Sequence, residues 1–175
     1  MHLELFSVVI EKFFVLYIRF ACKQRKLNIF DIDNTLADTW PSYLQVYQTH
    51  RERLKALPAF PRMIELVKQK YLQNECVVFI SVRGYRNFFV TKSWLEKYDI
   101  FHWNLFLVRT PQEKLKLIKI ACAHFQEIEL YDDMSYNHEQ GEVRFYENCL
   151  REIRKVPYLK YFGYTDLIRL QKMDK

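Results

Sequence analysis

The chain has 175 residues, half of them hydrophobic and 17% aromatic, with a net charge of +6. That length carries one domain with a sizeable core, and only three glycines argue against collagen-like repeats, disorder and Gly-rich phosphate loops. A basic surface suits an anionic substrate, nucleic acid or a membrane face.

The N-terminal run from Leu3 to Cys22 is mostly apolar and is followed by Lys23, Arg25 and Lys26. It lacks the basic start and small-residue cleavage site of a secretory signal. As a membrane span it would bury the Glu11–Lys12 pair, at about 2.5–3.5 kcal/mol per charge. Phe6, Val9, Ile10, Phe13, Tyr17 and Phe20 repeat at helical spacing and predict a packed helix. Membrane association through residues 3–22 is the alternative. Residues 1–25 are thus read as a hydrophobic extension, helix or anchor, and 26–175 as the main domain with a small helical insertion about 40–60.

Leu27 to Phe30 reads as a strand that ends in two carboxylates, Asp31 and Asp33. Period-2 alternation would point both acids to one side. Two adjacent negative charges need a positive partner, and a hard cation such as magnesium with oxygen ligands supplies one. Pro41 opens a helix whose stripe is Tyr43, Val46, Tyr47, His50 and Leu54, with Thr39 or Ser42 as caps. Pro58 and Pro61 break it. Met63 to Gln73 is the next helix, Cys76 to Ile80 a buried strand, Tyr85 to Tyr98 a helix and Leu105 to Val108 a strand. Pro111 begins a helix to about Phe125, and Ile128 to Tyr131 is another strand. Helix returns at Val143 to Arg154, then a strand at Tyr158 to Phe162 and a helix at Asp166 to Lys172. The four cysteines, Cys22, Cys76, Cys122 and Cys149, have no CxxC spacing, which argues against zinc and fits a reducing compartment; Cys76 and Cys122 read as small core residues.

Apolar strands alternating with helices predict an α/β fold: a three-layer α/β/α sandwich around a parallel sheet, with a minimal helical cap. In such sheets ligands bind beyond the carboxyl ends of the strands. That rule collects Asp31, Asp33, Ser81, Arg83, Asp132 and Asp133 on one rim. Acids around magnesium with a cationic neighbour suit phosphoryl transfer, through a carboxylate nucleophile and a second carboxyl as acid and base.

These residues resemble the signatures of the haloacid dehalogenase-like phosphohydrolase superfamily. Asp31-Ile-Asp-Asn-Thr35-Leu is similar to its DxDxT signature, Val77 to Ser81 to the second, and Leu130-Tyr-Asp132-Asp133 to the acidic fourth. The resemblance covers about residues 26–138. It implies Asp31 as nucleophile and magnesium ligand, and Asp33 as general acid/base with its backbone carbonyl on the metal. It further implies Thr35 holding the loop, Ser81 on the phosphoryl group and Lys114 as the neutralising cation, with Lys116 as the substitute. Asp133 is the direct metal ligand with Asp132 behind it, or the reverse. Asn34, Arg83 and Asn137 are assigned to the substrate, with Tyr43, Tyr47, His50, Arg51 and Arg53 bordering the opening. The implied activity is magnesium-dependent hydrolysis of a phosphomonoester, on a small molecule or a polymer end, in the cytoplasm. Val82 departs from the Gly common in such phosphatases. Arg83 resembles the Ser-Gly-Arg run of polynucleotide-kinase-linked phosphatases, so a nucleic-acid 3′-phosphatase is one alternative. A binding protein of this fold without turnover is another.

Overall fold

The computed structural model describes residues 2–23 and 25–172. Helix α1 (His2–Phe20) leads into strand β1 (Lys26–Phe30). Helices α2 (His50–Ala56) and α3 (Pro61–Leu72) precede β2 (Cys76–Ser81), and α4 (Phe88–Glu96) precedes β3 (Leu105–Leu107). Then come α5 (Pro111–Cys122), β4 (Glu127–Tyr131), the short strands β5 (Ser135–Tyr136) and β6 (Arg144–Phe145), α6 (Glu147–Ile153), β7 (Leu159–Phe162) and α7 (Tyr164–Lys172). Strands β3, β2, β1, β4 and β7 form one sheet in that order, with every pairing parallel.

Alternation along the strands sends side chains to two separate cores. Leu27, Ile29, Val78, Ile80, Ile128 and Leu130 pack under α1, α5 and α6. Phe30, Val77, Phe79, Leu107 and Tyr131 pack under α2, α3, α4 and α7. Both faces are covered, which is why Cys76 to Ile80 in β2 and Leu105 to Leu107 in β3 read as unbroken apolar runs, while β1 and β4 are interrupted by Asn28 and Glu129. The fold is the expected three-layer α/β sandwich.

Several elements differ from expectation. The helix opened by Pro41 stops after one 3-10 turn at Trp40–Leu44, and α2 starts afresh at His50. Thr49 caps α2 by accepting from the Glu52 N–H at 3.1 Å, while the Glu52 carboxylate accepts from Gln48 N–H. Val46 is fully exposed, so the proposed stripe is not a core face. Arg144 and Phe145, read as helix, pair with Ser135 and Tyr136 in a small hairpin before α6 begins. In α1 the buried side chains are Phe14 and Ile18, while Phe6, Val9, Phe13 and Phe20 face outward. Cys22 and Cys76 are joined by a disulfide that ties the segment after α1 to β2, whereas Cys122 and Cys149 are buried thiols. Sequence spacing carried no sign of that pairing.

At the end of the sheet away from the Asp31 rim lies a buried ionic cluster. Lys70 Nζ is 2.7 Å from Glu129 and 3.3 Å from Glu75; Lys26 Nζ is 3.2 Å from Glu129 and 3.3 Å from Glu75. Tyr131 and Asn28 donate to Glu129 and Glu75 at 2.8 and 2.9 Å. Burial alone would raise the Glu129 carboxyl, but hydrogen bonds from Lys70 and Tyr131 and the charge of Lys70 outweigh it and lower it to about 2. A carboxyl depressed by folding contributes stability above its unfolded value of about 4.3, lost as pH falls through about 2. Glu129→Gln should therefore cost on the order of 3 kcal/mol at pH 7. It should also flatten the acid limb of the stability curve between pH 5 and 2, as read by urea unfolding at each pH. An unchanged acid limb would show that the cluster contributes nothing.

Candidate active site

The strand order sets β1 between β2 and β4, so the chain ends leaving these three strands meet at one rim. Asp31 follows β1 directly, and its N–H donates to the Tyr131 carbonyl at the end of β4 at 2.9 Å. The turn beyond is closed by Leu36 and Ala37 N–H groups donating to the Ile32 carbonyl at 2.9 and 2.8 Å. Asn34 takes φ 54°, a left-handed conformation that Asn tolerates. Thr35 is fully buried inside this turn.

Three carboxylates and one ammonium converge. One oxygen each from Asp31, Asp132 and Asp133 lies within 4.8 Å of the others. Lys114 stands in the first turn of α5, capped by Thr110, whose hydroxyl accepts from Glu113 N–H at 3.1 Å. A lysine near a helix N-terminus opposes the helix dipole. Here it is held by two carboxylates, with Nζ 3.0 Å from Asp31 Oδ1 and 2.5 Å from Asp132 Oδ2. Lys114 is 2% exposed, whereas the Lys116 side chain is 59% exposed and pairs with Glu11 at 2.7 Å. Only Lys114 of the two lysines reaches the rim.

Electrostatics follow from burial and neighbours. Asp31 is pushed up to about 6 by burial and by the charges of Asp132 and Asp33, against the pull of Lys114. Burial likewise raises the Asp132 and Asp133 carboxyls, against Lys114 on the first and His138 and Ser135 on the second. Burial would lower the Lys114 ammonium, but Asp132 and Asp31 raise it, so it stays charged. Two oxygen donors and a third beside them, all hard, can hold a divalent cation.

Asp33 does not join that cluster. It turns to Arg83, whose Nε and Nη2 donate to its two oxygens at 2.8 and 2.7 Å, and Thr39 donates to Oδ1 at 2.8 Å. Burial would raise Asp33, but Arg83 and Thr39 outweigh it and hold the carboxyl below its ordinary range. The single-sided pair expected from strand alternation is thus split, because the chain leaves β geometry after Asp31. Arg83 is buried against Asp33 and reaches toward Thr91, so its guanidinium is engaged rather than offered to a ligand.

Ser81, the last residue of β2, is 1% exposed, and its Oγ finds no hydrogen-bond partner among the described residues. It lines an opening of ≈ 240 Å³ together with Asp31, Lys114, Asn34, Tyr43 and Asn137. Asn137 takes φ 69° and donates to the Glu142 carbonyl at 3.1 Å, which fixes its loop. Tyr43 borders the opening with Arg53 stacked 4.3 Å over its ring, while Tyr47 and His50 line a neighbouring hollow.

Some partners were not legible in the sequence. Ser135 donates to Asp133 and stands 2.5 Å from His138 Nε2, so the loop after β4 orients that carboxylate. Thr39, read as a helix cap, instead serves Asp33. The one available signal was spacing: a hydroxyl two residues after Asp133 lies within reach of its own turn.

No protein-family model and no curated protein matches this sequence. Solved structures share the fold. The class C acid phosphatase from Bacillus anthracis with tungstate bound superposes with a TM-score of 0.55 at 13% identity, over 99% of this chain and 85% of that one. A second structure of the Bacillus anthracis class C acid phosphatase gives 0.52 at 12% identity, over 94% and 79%. The five-stranded parallel sheet and its flanking helices are therefore an α/β architecture that this chain shares with those phosphatases.

Proposed function

We propose that this chain hydrolyses phosphomonoesters by passing the phosphoryl group first to Asp31 and then to water. The observation that carries this reading is the buried convergence of Asp31, Asp132, Asp133 and Lys114 at the carboxyl ends of β1 and β4. The fold shared with two phosphatase structures agrees with it. The donor set fits Mg²⁺, which Asp31 and Asp133 would hold, with the Asp33 carbonyl as the further ligand the resemblance implies; Asp132 is committed to Lys114 and to the Met134 N–H at 2.9 Å. When bound, the ion neutralises the carboxylates and the charge on the transferring oxygens.

The residues divide the remaining work. Lys114 faces the nucleophile and the phosphate it would receive, and Ser81 Oγ supplies an uncommitted hydroxyl to a phosphoryl oxygen. An Asp31 oxygen forms the new bond to phosphorus as the ester oxygen leaves. Water then attacks phosphorus, the Asp31–phosphorus bond breaks, and Asp33 takes the proton. Asp33, kept ionised by Arg83, is ready for this second step. It can protonate a leaving oxygen only after regaining a proton against Arg83. Leaving groups that need little protonation are thus favoured.

A panel of aryl and alkyl phosphates, assayed with and without Mg²⁺, tests the reading. Phosphate release should require the ion, and aryl esters should turn over at least about tenfold faster than alkyl esters. No Mg²⁺-dependent release from any ester would remove the assignment.

A further inference from the structure

Helix α1 carries an apolar row that the fold leaves largely exposed. Phe6, Val9, Phe13, Leu16 and Phe20 succeed one another at intervals of three and four and are between 38% and 73% exposed. The opposite face of the helix is already used. Phe14 and Ile18 are buried, with the Phe14 ring edge-on to Phe106 at 4.9 Å. The outer row is therefore a second apolar face, not a core face displaced by one residue. Single exposed hydrophobic residues need no explanation, but a contiguous row of this kind marks a contact surface.

Charge says what covers it. Lys12 and Arg19 are exposed on one margin of the row, about a quarter turn round the helix, and Lys23 and Arg25 are exposed beyond its end. Glu11 lies toward α5 and is paired with Lys116. We propose that α1 lies flat on an anionic lipid surface. The Phe and Leu side chains enter the boundary between headgroups and acyl chains, and Lys12, Arg19, Lys23 and Arg25 reach lipid phosphates. A second copy of the chain fits less well. The row offers roughly 600 Å² per partner against the about 800 Å² of a standard interface.

The docking direction leaves the catalytic rim open. Cys22, just past the end of α1, is bonded to Cys76 at the start of β2, while Phe6 near its beginning stacks on Tyr85, just beyond the end of β2, at 5.8 Å. The helix thus runs antiparallel to the strands, and the rim would open along the lipid surface rather than into it. No helix among the described residues is long and apolar enough to cross a membrane, so the contact proposed is superficial.

Sedimentation of the full chain with vesicles tests this. Wild type should bind phosphatidylcholine–phosphatidylserine vesicles about tenfold more strongly than pure phosphatidylcholine vesicles, and lose most binding in about 0.5 M salt. Phe13→Glu with Phe20→Glu should abolish binding at an unchanged melting temperature, because both side chains are already exposed. Lys12→Gln with Arg19→Gln should reduce the preference for the anionic vesicles, and adding Lys23→Gln and Arg25→Gln should remove it. Absence of vesicle binding by folded wild type would overturn the proposal. So would equal binding to both vesicle types, or a wild-type dimer that the Phe13→Glu/Phe20→Glu variant dissociates.

Discussion

Asp31→Asn is expected to lower phosphate release by at least about 10⁴-fold while leaving the fold intact. The amide keeps the shape of the carboxyl group but removes the oxygen proposed to attack phosphorus, and no other carboxylate is placed to take over. Asp132 is bound to Lys114, Asp133 to Ser135, and Asp33 to Arg83. Stability should not fall. Burial and the charges of Asp132 and Asp33 raise the Asp31 carboxyl to about 6, so in metal-free protein its ionised form is a burden above that pH and none below about 4. A neutral isostere removes that burden, and the variant should melt at or above the wild-type temperature at pH 7.5 without Mg²⁺. Turnover near the wild-type rate would remove Asp31 as nucleophile.

Lys114→Ala carries the other large effect, on stability and rate together. It strips the positive charge from a site where three buried carboxylates lie within 4.8 Å of one another. Breaking a buried pair by deleting one partner costs about 3–5 kcal/mol, because the remaining charge is left uncompensated. The same deletion removes a charge facing the transition state, worth about 10²–10³-fold in rate. Lys116→Ala, at an exposed ion pair, should change stability by no more than about 0.5 kcal/mol and leave the rate alone. Mg²⁺ should raise the melting temperature of Lys114→Ala more than that of wild type, since the ion supplies the missing charge. Thermal melts of both variants, with and without Mg²⁺, check this ranking. Equal losses in the two variants would contradict it.

How far the sequence foretold this site depends on the distance over which each contact acts. Asp31, Asp132 and Asp133 were legible because each follows a strand with a buried apolar face, and a parallel sheet brings such ends together. The choice of Lys114 over Lys116 was open to periodicity. Lys114, Leu117, Ile118 and Ala121 share one buried face of α5, and Lys116 lies off it. The Arg83–Asp33 pair was not legible, because it joins residues 50 apart through side-chain geometry that local pattern does not encode. Helix α1 defeated periodicity for another reason. Both of its faces are apolar, so spacing could not decide whether Phe13 or Phe14 turns inward. The stripe on Tyr43 and Val46 failed because Thr49 starts a new helix and ends the repeat. Glu129 and Lys26, charged residues inside strands, gave no sign of partners on α3 and the segment after it.

The proposed catalysis requires a phosphoryl group to become attached to Asp31 beside a cation. The most direct measurement is a crystal structure of the chain soaked with Mg²⁺ and beryllium fluoride, a stand-in for the transferred phosphoryl group. The beryllium should be bonded to an Asp31 carboxylate oxygen, with its fluorides within reach of Lys114 Nζ and Ser81 Oγ and the Mg²⁺ ion between Asp31 and Asp133. Beryllium fluoride bound away from Asp31, or a cation seated without contact to Asp31 or Asp133, would contradict it.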